Sequence, residues 1–87
     1  MISEAEVYSA MREIFSDVFM RDDIEISPSL SAKDVKEWDS FKNVEVILAT
    51  ETYFTVKLTS AEIDNLRTLS DLVRIAAQRG RLPAHPA

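Results

Sequence analysis

The segment Trp38-Asp39-Ser40-Phe41 joins a polar break to an apolar run in which Phe41, Val44, Ile47, Leu48 and Phe54 recur at the spacing of one helix face. A helix is expected to begin here. Its first backbone N–H groups have no partner inside the helix, and either Asp39 or Ser40 offers a side-chain oxygen to cap one of them. A hydroxyl at the positive end of a helix dipole can also carry a phosphate, because free donors and the field both favour an anion there. Ser40 is therefore the candidate anchor for a covalently attached phosphate ester, and a plain helix cap is its competing role.

Other chemistry is poorly supplied. The single histidine, His85, lies between Ala84 and Pro86 in the terminal stretch, where no neighbour could hold or tune it. Asp22, Asp23 and Glu25 lack the Asp-x-Asp-x-Asp-Gly order and the closing glutamate of a calcium loop, so a solvated turn is expected. One glycine cannot build a phosphate-cradling loop. With no cysteine, the chain offers no disulfide, no thiolate metal site and no sulfur nucleophile. No catalytic residue and no metal site is expected, and a binding or carrying role is left. Any thiol chemistry must be borrowed.

The net charge of −5 is unevenly distributed. Between Asp22 and Glu51 eight acids face three lysines, and outside that stretch acids and bases balance, so the whole excess surrounds Ser40. Such a field disfavours nucleic acid and anionic membrane and steers proteins with basic patches toward the site. Glu4 and Glu6 lead the chain with no basic region ahead of an apolar stretch, and no run approaches membrane-spanning length, so a cytoplasmic monomer is expected. Eighty-seven residues, 46% hydrophobic and 29% charged, suit one small globular domain.

Four helices can position the motif. Ser3 to Glu6 has the form of a capping box with Ile2 and Val7 as its hydrophobic staple, and Val7, Ala10, Met11, Ile14, Val18 and Phe19 carry the first helix to about Met20. From Arg21 to Asp39 the periodicity is lost, Pro28 disfavours helix before it, and a long loop is expected. Ile24, Ile26, Leu30, Val35 and Trp38 should pin it to the core, with one helical turn near Ala32 to Lys36. The second helix spans about Ser40 to Phe54, with Glu45 and Glu51 outside its apolar stripe and exposed. Thr59 and Glu62 form a second capping box opening a short helix to about Asn65. Thr68 with Asp71 starts a fourth, whose stripe is Leu69, Leu72, Val73 and Ala76. Gly80 suits the left-handed position that closes it, with Arg74 and Arg79 at its negative end. The expected fold is all-α: a small four-helix bundle over residues 1–80, three longer helices and a short third, with a disordered tail over 81–87. Periodicity leaves open which way the first two helices pack.

Val35-Lys36-Glu37-Trp38-Asp39-Ser40-Phe41 resembles the attachment motif of the acyl carrier protein family, which includes peptidyl and aminoacyl carriers and commonly reads Asp-Ser-Leu or Trp-Asp-Ser-Leu. Glu51-Thr52-Tyr53-Phe54-Thr55-Val56-Lys57-Leu58 is similar to the family's Glu-x-x-Phe-Gly-Ile-x-Ile, and Leu66 to Val73 resembles its lead into the last helix. The likeness runs from about Val7 to Gln78. It implies that Ser40 carries 4′-phosphopantetheine, added from coenzyme A by a separate phosphopantetheinyl transferase. The arm's thiol would hold an acyl or aminoacyl thioester. It implies partners that load and process that cargo in fatty-acid, polyketide, nonribosomal-peptide or related biosynthesis. Trp38, Asp39 and Phe41 complete the motif, and Asp39 would cap the helix and help position the transferase's metal-bound coenzyme A.

Phe41, Val44 and Glu45 are the expected docking face, with Phe41 equally eligible for the core. The sequence departs from the family at Phe41, where leucine is usual, at Lys42, which adds a positive charge, and at Thr55, where glycine is common and a different turn is expected. The Trp-Asp-Ser form points to a specialised stand-alone carrier. The alternative is an unmodified acidic helical adaptor in which Ser40 is only a cap.

Overall fold

The computed structural model describes residues 2–81. Of the tail expected over 81–87, Arg81 is described and donates its N–H to Phe54 O at 2.8 Å, while His85 and the rest lie outside. Among the described residues four helices are formed, α1 (Glu4–Phe19), α2 (Ser40–Phe54), α3 (Ser60–Asp64) and α4 (Leu69–Arg79), with a 3-10 turn at Ala32–Asp34 in the first loop. The fold is an all-α bundle of three longer helices and one short one, as the periodicity predicts.

The helix starts follow from local chemistry. Ser3 Oγ accepts from Glu6 N at 3.2 Å while Glu6 Oε1 accepts from Ser3 N at 3.3 Å, and Thr59 and Glu62 repeat the exchange at 3.1 and 2.8 Å. At α4 only the returning half is made: Asp71 Oδ2 accepts from the amides of Arg67 and Thr68 at 2.9 and 3.1 Å. The first two amides of α4 instead donate to the long loop, Leu69 N to Leu30 O at 2.8 Å and Ser70 N to Pro28 O at 3.0 Å. Those bonds tie the loop to the start of α4. They involve residues about forty positions apart, beyond any local pattern.

α1 is the central element, packed on both α2 and α4. It runs antiparallel to α2: Lys42 at the start of α2 donates to Val18 O at the end of α1, and Thr50 further along reaches Met11. Ile2 N donates to Ala77 O at 3.2 Å, which sets the beginning of α1 beside the end of α4. The core comprises Val7, Met11, Ile14, Phe15 and Phe19 of α1, Val46 and Phe54 of α2, Leu69, Leu72 and Val73 of α4, and Leu30 and Val35 of the loop. Ile24, Ile26 and Trp38 pack against it half-buried, as expected of pins. Phe15, absent from the predicted stripe, is among the most buried side chains of the molecule.

The C-terminal caps differ from expectation. Gly80 has φ −82° and is not left-handed; its need for glycine is steric, since an added Cβ would stand 2.6 Å from Ala76 O and 2.9 Å from Phe54 Cβ. The left-handed caps are Met20 and Thr55, with φ 55° and 52°. Thr55 thus takes the turn that glycine favours, rather than the different one its identity suggested. Arg79 is not spent on the α4 dipole: it donates to Glu62 Oε1 at 2.7 Å and to Lys57 O at 3.2 Å, joining α4 to α3 and the segment before it. Arg74 pairs with Asp71 at 3.7 Å, near the helix start. Glu51, expected to be exposed, is half-buried because its Oε2 accepts from Leu58 N at 2.8 Å and holds the loop after α2.

Candidate functional site

Between Asp39 and Ser40 the cap falls to Asp39. Its backbone is extended, at φ −99° and ψ −170°, and its Oδ1 accepts from Lys42 N at 2.9 Å. Asn43 N takes the Asp39 carbonyl at 2.9 Å. Ser40 is then the first residue of α2, and it is exposed. Its own amide and that of Phe41 have no partner inside the helix, because intrahelical bonding begins only with later residues. The hydroxyl of Ser40 therefore stands free of capping duty, in solvent, beside two open donors and the positive end of the dipole.

Trp38 fixes the approach to that hydroxyl. Its ring meets Phe15 edge-on at 5.2 Å and Phe19 at 6.0 Å, and its Nε1 donates to Asn43 Oδ1 at 3.1 Å, so one side chain ties the motif to α1 and to α2. The sequence offered no signal for Asn43 as that partner.

The expected single apolar face of α2 divides in two. Val46, Ile47, Thr50 and Phe54 are buried, while Phe41 is 81% exposed and Val44 and Leu48 are also exposed. Phe41 is not core, and its placement with Val44 and Leu48 outside corrects the one-stripe expectation. Thr50 escapes an apolar count because its hydroxyl donates to Val46 O at 2.8 Å and satisfies itself within the helix, so a residue that reads as polar occupies the middle of the buried face. Phe41, Val44 and Leu48, three and four residues apart, then form an exposed apolar row leading away from Ser40. Leu48 belongs to this row although its spacing had assigned it inside. Glu45 is exposed beside it and pairs with Lys42 Nζ at 3.3 Å, so part of its charge is compensated.

A cavity of about 190 Å³ opens on the other flank of the motif, with Val46, Ile47, Leu66, Leu69 and Leu72 on its apolar side and Asn43, Arg67 and Thr68 on its polar side. A larger open groove of about 530 Å³ follows α1 past Arg12, Asp17 and Asp22; it is charged and none of its lining residues belongs to the motif. Among the described residues no cluster of histidine and carboxylate side chains has the makings of a metal site. No helix there is long and apolar enough to cross a membrane.

No protein-family model matches the chain. Individual relatives do. Over 72 residues the chain is 32% identical to the acyl carrier protein of Acidothermus cellulolyticus, covering 83% of this chain and 86% of that one. It is 30% identical to the acyl carrier protein of Myxococcus xanthus, covering 84% and 92%. It is 31% identical to the meromycolate extension acyl carrier protein of Mycolicibacterium aurum, covering 82% and 73%. The solution structure of holo acyl carrier protein from Geobacter metallireducens superposes with a TM-score of 0.78 at 28% identity, over 83% of each chain.

Proposed function

This chain belongs to the acyl carrier protein family, and we propose that it carries its cargo on Ser40, modified there with 4′-phosphopantetheine by a separate transferase. The observation that carries this is the division of labour at the head of α2: Asp39 takes the cap, and the neighbouring hydroxyl is left exposed and uncommitted. The residues suit the group. A phosphodiester on Ser40 would meet the open amides of Ser40 and Phe41, which stabilise an anion at a helix start. When attached, the arm supplies the thiol that this cysteine-free chain lacks, and so the thioester that holds an acyl group.

Within this scheme the chain's own residues present and recognise, while separate enzymes perform the chemistry. Asp39 holds the helix start in register and, beside the modified oxygen, is suited to orient the transferase's metal-bound coenzyme A. Trp38 keeps the motif against α1. Phe41, Val44 and Glu45, extended by Leu48, form the docking row, in which apolar contact sets affinity and the acidic surroundings set the rate of encounter with basic partners. A flexible arm raises the local concentration of its cargo at whichever active site the domain docks.

Intact mass after incubation with coenzyme A and a promiscuous phosphopantetheinyl transferase tests the assignment. Wild type should gain one pantetheine-sized increment and Ser40→Ala none. A wild type that gains nothing would favour an unmodified acidic adaptor.

A further inference from the structure

Arg21 follows Met20, the residue that closes α1, and its guanidinium spans the long loop. Its Nε and Nη2 donate to the two oxygens of Asp23 at 2.6 and 3.0 Å, and its Nη1 donates to both oxygens of Glu37 at 2.8 Å. The Asp23 contact is a two-nitrogen fork, which adds direction as well as attraction, and the Glu37 contact is one nitrogen shared between both carboxylate oxygens. Only 35% of the Arg21 side chain is exposed, against 72% for Asp23 and 45% for Glu37. The guanidinium holds the Asp23 carboxyl below the usual carboxylate range.

Glu37 lies three residues before Ser40. Its carbonyl accepts from Asp39 N at 3.0 Å, and Asp39 is the residue that caps α2. Next to it, Trp38 lays its ring on Phe15 and Phe19, near the same end of α1 from which Arg21 projects. A charge-assisted contact and an aromatic anchor thus reach one short segment from one helix end. Exposed ion pairs contribute little to global stability. What this one can do is local: it limits the positions open to the backbone that leads into Ser40.

We propose that Arg21 is a positioning residue for the modification of Ser40, acting through Glu37 to hold residues 37–39 so that the hydroxyl is presented in one orientation. The proposal rests on the carrier function proposed above. Without the clamp, a smaller fraction of molecules would present the competent segment, which raises the apparent KM for the carrier and leaves kcat unchanged.

Trp38 is the only tryptophan, so its fluorescence reports the segment without any enzyme. Arg21→Gln, Glu37→Gln and the double variant would be compared with wild type in Trp38 emission, thermal midpoint, and transferase kinetics with coenzyme A. Each single variant should redden the emission and raise KM about threefold, the size expected of one well-formed exposed pair, with the midpoint nearly unmoved. The double variant should be no worse than either single, because both break the same contact. Two single effects that multiply in the double variant would overturn the proposal. So would wild-type KM in both singles, whether or not the emission shifts. A wild type that accepts no pantetheine would instead remove the carrier function itself, and the positioning role with it.

Discussion

Asp39 and Ser40 are adjacent, both bear a side-chain oxygen, and both are common helix caps, so residue type alone could not divide the two roles between them. The backbone does so: Asp39 is extended and Ser40 already helical, which puts the Asp39 carboxylate within reach of Lys42 N. Asp39→Ala should therefore cost about 1 kcal/mol in denaturant unfolding, the usual loss of a cap. Ser40→Ala should stay within about 0.5 kcal/mol, as for other exposed positions. Equal losses at the two sites would mean that the serine shares the cap. The same scale explains why Thr50 escaped notice, because its self-satisfied hydroxyl is invisible to a count of apolar residues.

At the scale of elements, starts are better specified than closes or faces. Capping boxes act between residues three apart, so Ser3 with Glu6 and Thr59 with Glu62 are legible from spacing alone. The close of α2 carries a conflict: Thr55 is β-branched yet sits at φ 52°, a region that costs an L-residue roughly 1–2 kcal/mol. Thr55→Gly relieves that strain and gives back part of it as unfolded-chain entropy, for a net gain of about 0.5–1 kcal/mol. A lower thermal midpoint in that variant would show that the threonine side chain is needed there. The starts of α3 and α4 carry an acid dependence. Glu62 is held below the usual carboxylate range first by Thr59 N–H and then by Arg79, and Asp71 by the amides of Arg67 and Thr68. Depressed folded-state values mean that the stabilisation is complete above the unfolded range, about pH 4, and is lost as the pH falls through the lower folded values. Thermal midpoints should drop below about pH 4, and the Glu62→Gln, Asp71→Asn double variant should be less stable at pH 7 with a shallower acid limb.

Across the whole molecule one core serves both fold and site. Phe15 joins α1 to Trp38, so the residue that fills the centre also seats the motif. Phe15→Ala should cost about 3–5 kcal/mol. A domain of this size has little more than that in reserve, so circular dichroism should show a broad, much earlier melt. Leu48→Ala, on the exposed row, should shift stability by less than about 0.5 kcal/mol. A large loss at Leu48 would mean that the row is packed in solution and not free for a partner. Among the described residues, three of the four large apolar side chains that are exposed, Phe41, Val44 and Leu48, lie on α2.

Local patterns were enough for the helix starts, the all-α class, the four elements and the serine at the head of α2, because each depends on residues within about one helical turn of one another. Packing was needed to settle that α1 runs antiparallel to α2, that Phe41, Val44 and Leu48 face outward, that the long loop closes the start of α4, and that Phe54 crowds Gly80. Those outcomes depend on which surfaces meet. α2 carries apolar residues on two sides, and a helix of that kind has no preferred inner face until its neighbours occupy one of them.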